Sequence, residues 1–205
     1  MPELPEVETV RRTLTNFVLG AKIASVDIIY DRIIAGGAEA FAEAVAGQSI
    51  RDIDRLGKYL VFILDEAAFT SHLRMEGKYN IVPHSAAIGK HEHIVFALED
   101  GRDLRYQDVR KFGRMELTDK SGYRNAPPLS ELGPEPWEAD PAALYERLKK
   151  SRLPLKSLLL DQTVLAGLGN IYANEVCFRL RLDPRTPGHR LTAKQTRELI
   201  SAASV

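Results

Sequence analysis

Cysteine is all but missing from this chain of 205 residues: Cys177 stands alone. A lone thiol cannot close an internal disulfide or furnish a cysteine-rich zinc site, so neither device is expected within the chain. A reducing, cytoplasmic setting is the matching expectation. Long apolar runs are also missing, and no membrane span is expected. No charged-then-apolar leader precedes the first motif, which argues against a secretory signal. Net charge is zero, with 28 Lys and Arg against 28 Asp and Glu, so the cationic excess usual in a nucleic-acid binder is absent. The charge is unevenly spread, however. Residues 1–139 hold 17 basic and 22 acidic side chains, whereas residues 140–205 hold 11 and 6. That asymmetry fits a polyanion partner for the second part, and equally a solvated basic helix face.

What is present divides into two patterns. A helix opens at Pro5 and is expected to reach about Phe17, with Gly20 as its stop. Lys22–Tyr30 alternates as a strand, and Ala38–Ala46 is a short alanine-rich helix closed by Gly47. Strand-like runs follow at short spacing: Ser49–Asp54, Tyr59–Leu64, Phe69–Leu73, Lys78–Val82, His93–Leu98, Arg102–Gln107 and Arg114–Thr118. Many short strands so spaced predict a β-sandwich or barrel. From Tyr123 to Trp137, four prolines and Gly133 interrupt all periodicity and mark a boundary. Helices are expected from Pro141, after Pro154, from a cap at Asn170, and from Thr192. The last is still amphipathic at Val205, as in a chain that continues. The expected class is α+β: a β-sandwich domain flanked by helices over 1–124, a linker over 125–139, and an all-α domain over 140–205. There are no internal repeats.

Several stretches carry chemistry. Pro2 follows the initiator; once Met1 is trimmed it offers a secondary amine titrating at about 7.7–8.0, against about 10.4 for lysine. Such an amine can attack a sugar's anomeric carbon and form an iminium. Glu3 beside it and Glu6 at helical spacing can serve as proton donor and electrostatic partner. The same residues also make an ordinary helix start. Lys58 opens an apolar strand, where a lysine faces either solvent or a phosphate. Within His72-Leu73-Arg74-Met75-Glu76-Gly77, Met75 by itself reads as core. Asp108-Val109-Arg110-Lys111-Phe112-Gly113-Arg114 places an aromatic among cations, as in a nucleic-acid loop or a basic hairpin. Gly167-Leu168-Gly169 before a helix lets a phosphate approach backbone amides, and Asn170 adds a donor. His91 and His93 form a possible metal pair lacking a third ligand, and Cys177 reads as a small core residue.

Taken together, PELPEVETVRR, the Gly57-Lys58 pair, the Met75 and Arg110–Phe112 blocks, and the string from Lys156 to Glu175 resemble the bacterial formamidopyrimidine-DNA glycosylases, in family order from Pro2 to about His189. The resemblance implies a bifunctional glycosylase and abasic-site lyase that removes oxidised purines such as 8-oxoguanine and formamidopyrimidines. Pro2 is then the nucleophile, with Glu3 and Lys58 at the catalytic centre and Glu6 in support. Lys58, His72 and Asn170 would contact phosphate, and Met75 and Phe112 would enter the duplex. Arg110 would pair with the base opposite the lesion. Lys156 would read the damaged base, with Glu76 and Tyr172 in supporting places. Leu4 stands where the related endonuclease VIII enzymes usually have glycine, and Val109 replaces a more usual proline. The family's zinc belongs to a four-cysteine finger for which this chain has no residues, so no cofactor or metal is expected here and reduced activity is. The expected partner is double-stranded DNA carrying oxidised purines or abasic sites, bound by a monomer. Non-catalytic binding of damaged DNA and an endonuclease VIII-like activity are the alternatives.

Overall fold

The computed structural model describes residues 1–204. The expectation about a helix at Val205 lies outside the described residues. The chain divides into two compact units between Ser130 and Glu131. No helix among the described residues is long and apolar enough to cross a membrane.

The first unit opens with α1 (Leu4–Val18), capped at Glu3 and carrying Pro5 in its first turn. Leu4, Val7, Leu14 and Val18 form its buried stripe, the spacing that an amphipathic helix requires. Then come β1 (Ile23–Ile28), β2 (Ile34–Ala35), α2 (Ala38–Val45), β3 (Asp52–Leu56), β4 (Tyr59–Ile63), β5 (Ala68–His72), β6 (Lys78–Pro83), β7 (Glu92–Leu98), β8 (Arg102–Gln107) and β9 (Arg114–Thr118). They form a four-stranded sheet in the order β1-β7-β8-β6 and a five-stranded one in the order β2-β9-β5-β4-β3. The sheets meet through aromatics: Phe69 of β5 stacks on Phe96 of β7 with centroids 5.7 Å apart, and Phe41 of α2 sets its edge against both. Helix α1 packs against β3 and β4. Every residue of β5 is buried, so it lacks the alternation of a one-sided strand.

Two departures from the sequence expectation bear on the site. The run expected at Ser49–Asp54 is a strand only from Asp52, because Ser49 and Ile50 pair instead with the Gly20–Lys22 segment. The strand then continues to Leu56, so that Leu56 faces Tyr59 and Gly57-Lys58 becomes a two-residue hairpin turn. Gly57 takes φ 55°, a conformation that side chains resist. Lys58 therefore sits on a turn, not at the head of a strand. Strand β2, two residues long and parallel to β9, carries too little pattern to be recognised in the sequence.

The second unit holds α3 (Pro141–Lys149), α4 (Leu155–Leu160), α5 (Asn170–Arg179) and α6 (Ala193–Ala203) around a core that includes Leu144, Leu148, Leu155, Leu165, Val176 and Leu199. Asp140 caps α3 by accepting the amides of Ala142 and Ala143, and Thr192 caps α6 in a capping box with Gln195. The proline-rich stretch is less irregular than expected, with short 3-10 turns at Tyr123–Asn125, Leu129–Glu131 and Pro136–Glu138. Gly169 is the N-cap of α5, and Asn170 is its first helical residue and not the cap.

Candidate functional site

In the first unit the N-terminal segment, the β3–β4 turn and the end of β5 share one electrostatic environment. Glu3 is 2% exposed and Lys58 5% exposed. Burial pushes the Lys58 ammonium down from its ordinary value, and the nearby Glu3 charge opposes that shift. Pro2, half-buried, immediately precedes Glu3. The Glu6 carboxylate accepts the Glu3 amide at 2.8 Å, so Glu6 is engaged in holding the start of α1. A second carboxylate steadies the turn from beneath. Glu8 receives Arg11, Arg12 and Arg55, and these guanidiniums hold it down at about 2, against the opposing effect of burial. Arg55 in turn donates to the Gly57 carbonyl at 3.1 Å, bracing the residue before Lys58.

His72 pairs across the sheet with Tyr59, their rings edge to face at 4.6 Å. Burial, and then the charges of Arg74 and Lys58, push its imidazole down to about 3. Its Nδ1 accepts the Arg74 amide at 3.0 Å, which leaves the single proton of the neutral ring on Nε2. His72 is thus a fixed neutral donor, suited to a phosphate oxygen without changing charge near pH 7.

Two turns lift apolar side chains into solvent, and they are built alike. The first runs from His72 to Gly77, the second from Asp108 to Gly113. Each begins with a side chain that accepts the amide two residues on: His72 from Arg74, and Asp108 Oδ1 from Arg110, both at 3.0 Å. Each passes through a non-glycine residue at positive φ, Arg74 at 53° and Lys111 at 58°. Directly after it comes the apolar residue, Met75 at 41% exposed and Phe112 at 54%. The Arg110 guanidinium lies over the Phe112 ring, 4.8 Å from its centroid. Met75 and Phe112 line one cleft of about 610 Å³ with Met1, Arg74, Lys111 and Arg114. Glu76 is exposed on the first turn. Exposed hydrophobics on braced turns, rimmed by cations, can wedge between stacked bases while the cations meet phosphate.

In the second unit the turn before α5 is held by one side-chain amide. Gln162 donates to the carbonyls of Leu160 (3.0 Å) and Leu168 (2.9 Å) and accepts the Gly167 amide (3.0 Å). Arg147 clamps the same turn from α3, donating to the Thr163 carbonyl and hydroxyl at 2.6 and 2.7 Å. Gly167 takes φ 98°. Asn170 is exposed at the start of α5, where the helix dipole favours an anion. Tyr172 and Lys156 are half-buried on α5 and α4.

Four residues that hold these sites were given no role from the sequence: Arg55, Glu8, Asp108 and Gln162. Asp108 alone left a signal, since Asp two residues before an amide in a turn is a common side-chain-to-backbone motif. The histidine pair does not form a metal site. His93 is buried with Nε2 2.8 Å from the Asp108 carbonyl, and Glu92 pairs with Arg105. Cys177 is buried in α5, and among the described residues no three His, Cys, Asp or Glu side chains are grouped to hold a metal.

Comparison with known proteins follows the same division. Residues 1–115 match the model of the formamidopyrimidine-DNA glycosylase N-terminal domain, and residues 132–204 match that of the formamidopyrimidine-DNA glycosylase H2TH domain. The formamidopyrimidine-DNA glycosylase of Bacillus licheniformis is 48% identical over 200 residues, covering 96% of this chain and 73% of its relative. That of Geobacillus kaustophilus is 47% identical over 203 residues, covering 97% and 74%. Among solved structures, the Lactococcus lactis Fpg bound to DNA containing an abasic site superposes with a TM-score of 0.93 at 38% identity, covering 98% of this chain and 76% of that one. The same enzyme with N7-benzyl-Fapy-dG DNA gives 0.94 at 38% identity, with the same coverage.

Proposed function

The chain belongs to the formamidopyrimidine-DNA glycosylase family, and on that premise we propose that it excises oxidised purines from double-stranded DNA and then cleaves the strand, through a Schiff base on Pro2. The observation that carries this reading is the buried pair Glu3 and Lys58 beside the N-terminal segment. A binding module has no use for two opposite charges held out of water at the chain's start. A nucleophilic amine does, because it needs a proton acceptor before attack and a donor afterwards.

Pro2 nitrogen, neutral in useful fraction at pH 7, attacks C1′ of the damaged nucleotide as the bond to the base breaks. Glu3 holds or delivers the proton at the sugar. The nitrogen gives up its proton, and its lone pair then expels O4′ from C1′, opening the sugar ring to the iminium as O4′ takes a proton from Glu3; strand cleavage proceeds from that iminium. Lys58 and His72 donate to phosphate, His72 through Nε2–H. Met75 and Phe112 fill the gap left by the extruded nucleotide, and Arg110 meets the orphaned base. In the second unit, Asn170 and the turn held by Gln162 grip phosphate, Lys156 reads the damaged base and Tyr172 supports Asn170. The relatives are bacterial, and we assign the chain the same cytoplasmic setting, acting as a monomer.

Lys58 is the serious rival nucleophile, since burial pushes its amine towards neutrality. Borohydride trapping on DNA with an abasic site, followed by peptide mapping, separates the two. The adduct is expected on Pro2, and retention of Met1 should abolish it. An adduct on Lys58 would overturn the assignment.

A further inference from the structure

The two solvent-exposed turns rest on one buried hydroxyl. Tyr106, next to last in β8, is fully buried, its ring against Tyr79 with centroids 5.3 Å apart. Its hydroxyl occupies the space that side chains at Gly77 and Gly113 would need. A Cβ at Gly77 would come within 2.2 Å of it, and one at Gly113 within 1.7 Å. These glycines close the Met75 turn and the Phe112 turn respectively. The hydroxyl also donates to Asp108 Oδ2 at 3.5 Å, and the same carboxylate accepts the amides of Gly113 (2.8 Å) and Arg110 (3.0 Å). Gly77 returns its own amide to the Leu73 carbonyl at 2.9 Å. Burial pushes the Tyr106 hydroxyl up, so it remains a donor throughout the working range of pH.

We infer that Tyr106 and Asp108 act as a keystone that locks the Met75 turn and the Arg110–Phe112 turn in one register, so that the two enter a duplex as a single wedge. The inference rests on the DNA-invading role proposed above. Its physical content is that a packed interior does not deform continuously. Moving Gly113 must displace the hydroxyl or the carboxylate, and the hydroxyl bears on Gly77. Both are positioning residues, acting through the turns.

A double-mutant cycle on a duplex with a tetrahydrofuran abasic analogue tests this. Met75→Ala and Phe112→Ala should each weaken binding, and the double variant should fall short of the product of the two losses by about fivefold. In a Tyr106→Phe background, which keeps the ring, the shortfall should drop to within about twofold of none. Coupling that persists in Tyr106→Phe overturns the inference, and a role confined to stability would lower Tm while leaving the coupling intact. A second measurement needs no DNA, and so separates failure of the keystone from failure of the DNA reading. With Met1 removed the chain keeps two methionines, Met75 and Met115, and their ¹³C-methyl signals can be followed in the free protein. Asp108→Asn should shift the Met75 methyl, and the shift should vanish when Tyr106→Phe is added. A Met75 methyl unmoved by Asp108→Asn overturns the inference whether or not Tyr106→Phe folds.

Discussion

The first unit buries its polar side chains, and the second keeps nearly all of its own at the surface. Glu3, Lys58, His72, His93, Asp103, Arg105 and Asp108 are all buried in the first, whereas the second buries only Glu135 and Thr196 among the described residues. The difference follows from the work each is proposed to do. Covalent chemistry needs groups shifted from their ordinary protonation, and burial does this to Lys58 and His72, pushing both down. Holding a phosphate needs backbone amides and exposed donors on a stiff turn. Gln162 and Arg147 provide that stiffness without burying charge.

The sharpest way to break this comparison is to neutralise one buried charge. Glu3→Gln should lower the single-turnover excision rate by about 10²–10⁴-fold while leaving affinity for damaged duplex nearly unchanged. Equal losses in rate and affinity would place Glu3 in binding instead.

The second unit should show the opposite split. Gln162→Ala removes three hydrogen bonds from the turn before α5, costing about 1–3 kcal/mol. It should weaken binding to damaged and undamaged duplex alike, with the rate at saturating protein preserved. A rate defect at saturation would show that the turn does more than grip.

A smaller effect distinguishes the units by pH. His72 sits at about 3 when folded against 6.5 ordinarily, so between these values the unfolded chain binds more protons. Its contribution to stability is complete above pH 6.5 and is lost as the pH falls towards 3. His72→Gln, which cannot titrate, should flatten the decline in Tm below pH 6.5, and an unchanged decline would mean that other groups dominate it. The smallest effect belongs to Arg12, largely exposed beside Glu8. Arg12→Ala should change stability by no more than about 0.5 kcal/mol, because Arg11 and Arg55 remain on the carboxylate. A larger loss would mean that the brace needs all three cations.

The order of helices and strands was legible because apolar spacing decides it, and the family was legible by resemblance. Geometry that depends on distant partners was not. Lys58 read as a strand residue because Gly57-Lys58 looks like a pause between two apolar runs until Leu56 is known to pair with Tyr59. His93 read as half of a metal pair because nothing local announces a hydrogen bond to the Asp108 carbonyl, fifteen residues away. Arg102-Asp103-Leu104-Arg105-Tyr106 alternates like a surface strand, yet Arg105 is buried, bonded to Asp103, Glu92 and the carbonyls of Ala86 and Ala87.

That buried arginine bears on how the molecule is felt from afar. DNA binding at moderate salt is driven by the release of condensed counterions, one for each phosphate that a protein cation neutralises. Arg105, Arg55 and Arg11 already have carboxylate partners inside the first unit, so they release nothing when DNA arrives. The 28 cations of the chain are therefore a poor guide to its salt sensitivity, and so is its zero net charge. The slope of affinity against ionic strength counts only the side chains that still wait for a phosphate.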